Sequence, residues 1–578
     1  MTDGFEISGQ NAAALFTLKV HRGEGMALLA MNWKVGEPPD DFVGFAIEYQ
    51  APGGTMFLPV RNRLSFAGAS GTAGASGTAG TDARSSLLSP IQKFRWVHFP
   101  FNAEIPGAFT YRVSPVFMNT DDSLRLGEAQ VVDIELRRET YPGQLNVTFT
   151  RGFVSSQAFV DRFEKDGPIS TLLPDRADAG LQFVPTHKDA AEALSWMGFE
   201  ARSAILEVLD QALANKGSQV AAVAYDLNEP GIVDRLEKLG DRLRMIVDDS
   251  DGHGASTSAE TQAFERLKKS AGDSHVKRQH MKKLQHNKTI VVAGPDLHKA
   301  VCGSTNLSWR GFFVQNNNAV IVQGEKAIAP FLAAFNQYFA SDKSADFGGS
   351  PAAELEDLGL EGIDAKVAFS PHSPANAILD TIARDIGDNT TSSLFYSLAF
   401  LFETPGPILD AITKVTKDNS IFVFGMSDKK IGGLDLQTPD GNRAPVSPTT
   451  LGANAPEPFK SEPTGGSGAR LHHKFVVIDF DKPSARVYFG SYNFSGAADD
   501  SNGENLLVIR DRRIAVSYMI EAVRIFDHYQ FRIKQKDAKQ ATKELALARP
   551  PRKPGERPWW KKDYTEPPRI RDRLLFTQ

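Results

Sequence analysis

His472-His473-Lys474-Phe475-Val476-Val477-Ile478-Asp479 reads as a strand that opens on histidine and lysine and closes on aspartate. Its apolar middle, aromatic then β-branched, suits a buried strand. Side chains alternate along a strand, so His472 and Lys474 share a face about 6 to 7 Å apart. An imidazole and an ammonium then point together into one space. The pattern also stands earlier, as His286-Asn287-Lys288-Thr289-Ile290-Val291-Val292-Ala293. Downstream of each copy comes Gly-Ser-x-Asn, as Gly303-Ser304-Thr305-Asn306 and Gly490-Ser491-Tyr492-Asn493.

Working outward, the whole neighbourhood repeats. AVAYDLNEPGIVDRLEKLGDRLRMIVDD from Ala222 matches SLAFLFETPGPILDAITKVTKDNSIFVFG from Ser397, each reading strand, Pro-Gly turn, amphipathic helix, strand. Each half ends on an apolar strand and an aromatic-rich helix, AIAPFLAAFNQYF from Ala327 and AVSYMIEAVRIFDHYQF from Ala515. A duplication of this length predicts two equivalent halves about a pseudo-two-fold axis. Residues 1–150 differ in texture: short alternating runs such as Phe16–Val20, Gly44–Tyr49 and Phe109–Val113, broken by Gly, Pro and Asp turns, predict a β-sandwich. That region resembles a fibronectin- or immunoglobulin-like module by pattern alone, and GASGTAGASGTAG at 68–80 reads as a low-complexity loop within it. The expected organisation is a β-sandwich at 1–150, a first half at 151–345, a linker at 346–362, a second half at 363–535 and a basic Pro/Trp-containing tail at 536–578. The fold class is α/β in layers, a duplicated domain preceded by an all-β one.

His-x-Lys-x4-Asp followed by Gly-Ser-x-Asn, present twice, resembles the phospholipase D superfamily over residues 180–535. The resemblance implies a phosphodiesterase that uses no metal and no cofactor. One histidine would attack phosphorus, the other would protonate the leaving oxygen, and water would then hydrolyse the phosphohistidine. Lys288, Lys474, Asn306 and Asn493 would stabilise the phosphoryl oxygens, with Ser304 and Ser491 supporting. In this superfamily the carboxylate of one half orients the histidine of the other. Here the second half carries Glu504 where the first carries Asn317, an asymmetry like that of tyrosyl-DNA phosphodiesterase. Carried over, Glu504 orients His286 as nucleophile and Asn317 stands behind His472 as general acid. An anionic partner favours the more basic imidazole, so the assignment is physically consistent.

The first motif departs from the pattern, with Ala293 where the second has Asp479. One reading is a dead first half in a protein that only binds. The other is that this aspartate is structural, and the retention of His286, Lys288, Ser304 and Asn306 favours it.

Composition narrows the class without naming a substrate. Net charge of −5 and 41% hydrophobic residues describe an ordinary soluble protein, so affinity for a polyanion must come from a local patch. One cysteine, Cys302, excludes an internal disulfide framework and reads as a small buried residue. The start MTDGFEISGQ shows no secretory pattern, which predicts a cytoplasmic protein, with export lacking a cleaved signal still compatible. Lys277, Arg278, Lys282 and Lys283 precede the first motif and predict a mobile basic loop that grips a phosphate backbone. Nucleic acid is therefore the favoured substrate over phospholipid, with a non-catalytic binding protein as third reading. His187 and His372 read as core or surface residues, and the tail as a strap. The sandwich could hold a protein or surface ligand, and a monomer suffices for one active site.

Overall fold

The computed structural model describes residues 4–68, 83–100, 103–136, 139–152, 156–399, 401–428, 434–446, 471–543 and 545–578. Of the low-complexity run at 68–80, all but Gly68 lies outside them. The chain divides into two compact units, one of residues 1–138 and 516–578, the other of residues 139–515. The boundary expected at 150 thus falls at 138, and the tail belongs with the N-terminal unit.

The first unit has two antiparallel sheets. One orders Glu6–Ser8, Phe16–Arg22, Ala27–Trp33 and Arg95–His98. The other contains Leu58–Pro59, Phe42–Gln50, Ala108–Met118, Leu124–Leu126 and Gln130–Glu135. Inward residues of both, among them Phe16, Leu18, Phe45 and Phe109, share one core with Trp560 of the tail. Trp559 donates its indole N–H to Phe42 O at 3.0 Å, and Asp572 accepts from Arg95 at 2.6 Å. The tail is a strap on this unit, held by aromatic burial at one end and ion pairs at the other.

The second unit shows the duplication strand by strand. One sheet runs Leu145–Phe149, Asn318–Gln323, His298–Gly303, Thr289–Ala293, Gln219–Ala224, Leu243–Val247, then Val276–Arg278. The other runs Glu356–Asp357, Asp364–Ser370, Glu504–Arg510, Arg486–Gly490, Phe475–Ile478, Ser393–Ala399, Phe422–Asp428, then two short strands. Six strands correspond in order, the first five of each set antiparallel and the last pair parallel. The first half therefore begins at Leu145, not at 151, because its outermost strand precedes the helical segment. The expected linker is ordered, since Glu356 pairs with Val367 at the sheet edge.

Candidate active site

Each histidine leads into its strand from a bridge to the opposite half. Gln285 pairs with Gly503, and Asn316 with Leu471, both parallel. These four residues immediately precede His286, Glu504, Asn317 and His472, so the two bridges set both cross-half pairs. Two buried aspartates reinforce them: Asp248 accepts the N–H of Gln285 at 2.7 Å and Asp428 that of Leu471 at 3.0 Å. Beneath, Asn505 donates to Asn287 at 3.1 Å, and Asn318 meets His473 Nδ1 at 3.4 Å. The glycine of each Gly-Ser turn is required by close backbone approach. Gly303 and Gly490 have φ of 122° and 155°, and a Cβ there would meet Asn318 O at 2.6 Å and Asn505 O at 2.1 Å.

The imidazoles of His286 and His472 lie with ring centroids 6.3 Å apart. His286 Nδ1 faces Glu504 Oε2 at 2.7 Å, and Asn502 Nδ2 donates to the other carboxylate oxygen at 3.2 Å. His472 Nδ1 donates to Asn317 Oδ1 at 2.8 Å and to Ser304 O at 3.0 Å. Both Nδ1 atoms are occupied, which leaves Nε2 of each ring as the nitrogen open to another partner. Lys288 and Lys474 each donate to the carbonyl of their own histidine, at 2.5 and 2.7 Å.

Four basic groups buried together oppose one another's charge. Burial lowers the Lys288 ammonium to about 8 against the pull of Glu504 and Asp226. Lys474 falls well below its ordinary value through burial and the neighbouring Lys288. Burial also lowers His286, partly offset by Glu504, and lowers His472 further, with Lys474 and Lys288 adding to it. A site so arranged gains most from an entering anion.

The supporting residues divide by task. Ser304 Oγ donates to Asn317 at 2.9 Å, and Ser491 Oγ accepts from Asn505 N at 3.0 Å, so both hold the turns. Asn306 gives one amide proton to Asp226 at 2.7 Å, while Asn493 is half-buried with no hydrogen-bond partner among the described residues. Asp479 holds backbone, in keeping with the structural reading of this motif position. It closes the far end of the strand from His472, with φ of 53°. There it accepts the N–H groups of Thr391, Ser392 and Ser393 at 2.7 to 3.1 Å, and the Thr391 hydroxyl at 2.7 Å. Ala293 therefore replaces a residue that fixes a strand entry, not one that meets substrate.

The basic loop is corrected. Lys277 and Arg278 lie in a strand; Lys277 donates to Phe339 O at 2.6 Å, and Arg278 donates to the carbonyl oxygens of His253 and Asp248. Only Lys282 and Lys283 are exposed. His187 and His372 are buried, the latter bonded to Asp499 at 2.7 Å, and Cys302 is buried in its strand with its thiol pushed up by desolvation.

Tyr225, Asp226 and His253 flank the site and were not singled out by sequence. The Tyr225 ring lies 4.8 Å from that of His286 and 4.7 Å from Lys288 Nζ. Asp226 stands against Leu401 in the aligned repeats, a difference that could have flagged it. Ligand atoms of Asp226, His253 and Glu260 lie within 4.8 Å of one another, a grouping that could hold a cation. His253, however, faces carboxylates with both nitrogens, Asp226 at 3.2 Å and Asp248 at 2.8 Å. Against its burial, these hold it up to about 10, so a proton occupies the place a metal would compete for.

Residues 208–341 and 398–526 match the family model described as cardiolipin synthase, phospholipase D-like domain. The second unit carries a phospholipase D superfamily fold. A phospholipase D of Rickettsia felis is 46% identical over 48 residues, 8% of this chain and 22% of that one. The chain thus spans 22% of the length of the curated relatives it matches. Phosphatidylserine synthase of Haemophilus influenzae is similar at 12% identity and a TM-score of 0.39, over 60% of this chain and 92% of its own. The phospholipase D family member Nuc of Salmonella typhimurium is similar at 19% identity and a TM-score of 0.18, over 30% and 95%. In this phospholipase D fold the duplicated strands bring one histidine from each half together, with ring centroids 6.3 Å apart.

Proposed function

We propose that the protein is a phosphodiesterase that works through a covalent phosphohistidine. The observation that carries this reading is the pair of imidazoles 6.3 Å apart, each tied through Nδ1 to the other half. His286 Nε2 attacks phosphorus; the N–P bond forms as the P–O bond to the leaving group breaks. His472 gives its proton to the departing oxygen. Water then attacks phosphorus, His472 takes its proton, and the N–P bond breaks to free His286. Lys288 and Lys474 offer their remaining N–H groups to the phosphoryl oxygens as charge builds. No step calls on a metal.

Nucleic acid is the favoured substrate. With Lys277 and Arg278 committed to backbone carbonyls, the support rests on exposed Lys282 and Lys283, four and three residues before His286. Among the described residues no helix is long and apolar enough to cross a membrane. The test is turnover of plasmid, single-stranded DNA, RNA and mixed phospholipid vesicles by purified protein in excess EDTA. Cleavage of a nucleic acid is expected, with a binding salt slope that shrinks by about 0.9 per lysine lost on duplex DNA when Lys282 and Lys283 become alanine. Hydrolysis of phospholipid alone would reassign the substrate, and activity restored only by added metal would overturn the mechanism.

A further inference from the structure

The first unit contains a cavity of about 240 Å³, remote in sequence from both histidine motifs. At roughly 30 Å³ per water it holds about eight water volumes. One wall is a helix face within Arg512–Gln540, where Arg524, Asp527, Phe531 and Lys534 follow helical spacing. The opposite wall is the sandwich, through Arg63, Lys93 and Trp96.

Its charge is out of balance. Among the described residues, four cations, Arg63, Lys93, Arg524 and Lys534, line it beside one carboxylate, Asp527. That carboxylate is already divided between Lys93 at 3.2 Å and Arg95 at 2.7 Å. Arg524 is matched by Glu521 at 2.6 Å. Arg63 has no ion pair among the described residues; it donates to the backbone oxygen of Asp527 at 3.3 Å and lies 5.2 Å over the Phe531 ring. Lys534 sits exposed at the rim, also without an ion pair among them. Burial pushes Arg63 and Lys93 below their ordinary values in spite of Asp527, as expected where negative charge is short. Beside the cations stand Trp96 and Phe531, faces that suit an apolar body.

We infer that this cavity is a binding site for a small organic anion, a phosphate monoester or carboxylate carrying one ring or short chain. The anionic head would sit between Arg63 and Lys93, and the body against Trp96 and Phe531. The inference does not depend on the phosphodiesterase reading, since the two sites share no residue.

Calorimetric titration of the full chain with phenyl phosphate, benzoate, phenol and inorganic phosphate tests it. Phenyl phosphate or benzoate should bind at least tenfold more tightly than phenol or inorganic phosphate, and which of the two is tighter identifies the head group. Arg63→Gln should weaken that binding at least tenfold and leave phosphodiester turnover unchanged. Gln530→Glu places a carboxylate in the cavity wall; it should abolish binding while raising the melting temperature, a combination that misfolding cannot produce. In crystals soaked with 4-bromophenyl phosphate, anomalous bromine density should appear beside Trp96. Absence of binding by both acids, binding that survives both substitutions, or bromine only beside His286 would overturn the assignment.

Discussion

His472→Ala removes the proposed proton donor and leaves the nucleophile in place. The ring is held through Nδ1 by Asn317 Oδ1 and Ser304 O, and Asn317 Oδ1 keeps the Ser304 hydroxyl when the ring is gone. The polar loss is one carbonyl, about 1 to 3 kcal/mol, and the His286–Glu504 pair is untouched. A general acid is worth about 10² to 10⁴-fold, or roughly 3 to 5 kcal/mol of barrier. That loss should appear in full on an alkyl phosphodiester, whose oxygen must be protonated to leave. On a 4-nitrophenyl phosphodiester the departing anion is stable, and the first step should slow by less than about tenfold. Hydrolysis of the intermediate still needs the missing base, so the variant should release a burst of nitrophenolate equal to the enzyme and then stall.

The trapped imidazole is cationic while Nδ1 keeps its proton. With charge centres about 4 Å apart and an effective dielectric near 20, Glu504 stabilises it by roughly 4 kcal/mol. Adding Glu504→Gln should therefore slow the burst by about 10² to 10³-fold. Stopped-flow absorbance reads the burst, and mass spectrometry of quenched protein should find the adduct on His286. Equal losses on both substrates, no burst, or an adduct on His472 in His286→Ala protein would refute the division of labour.

Burial and the two lysines leave both imidazoles neutral at pH 7 in the free protein. The productive form carries one proton on the coupled pair, so kcat/KM should peak on the acid side and fall about tenfold per unit as pH rises above about 6.5. A profile flat or rising between about 6.5 and 8 would contradict a His472 donor. Asp479→Ala strips acceptors from the entry of the Ser393–Ala399 strand, and should destabilise the second unit by about 2 to 4 kcal/mol in urea unfolding. Turnover per folded molecule should stay unchanged; a fall would return Asp479 to the chemistry.

The sequence by itself determined the duplication, the strand that follows each His-x-Lys pair (Thr289–Ala293 and Phe475–Ile478, each starting just after the lysine) and the Glu504/Asn317 asymmetry, because these are local. A strand's period of two fixes which residues share a face, and a repeat fixes which residues are equivalent. Three things were decided only by tertiary structure. Asp479 belongs to a strand entry because its partners, Thr391 to Ser393, lie some ninety residues earlier and meet it only once the sheet forms. Lys277 and Arg278 looked free because a charge run carries no record of which carbonyls it will find; here these belong to Phe339, Asp248 and His253. The pairing of His286 with Glu504 and of His472 with Asn317 depends on bridges Gln285–Gly503 and Asn316–Leu471, which join segments far apart in the chain. Local periodicity assigns a side chain to a face, whereas long-range backbone pairing decides what that face meets.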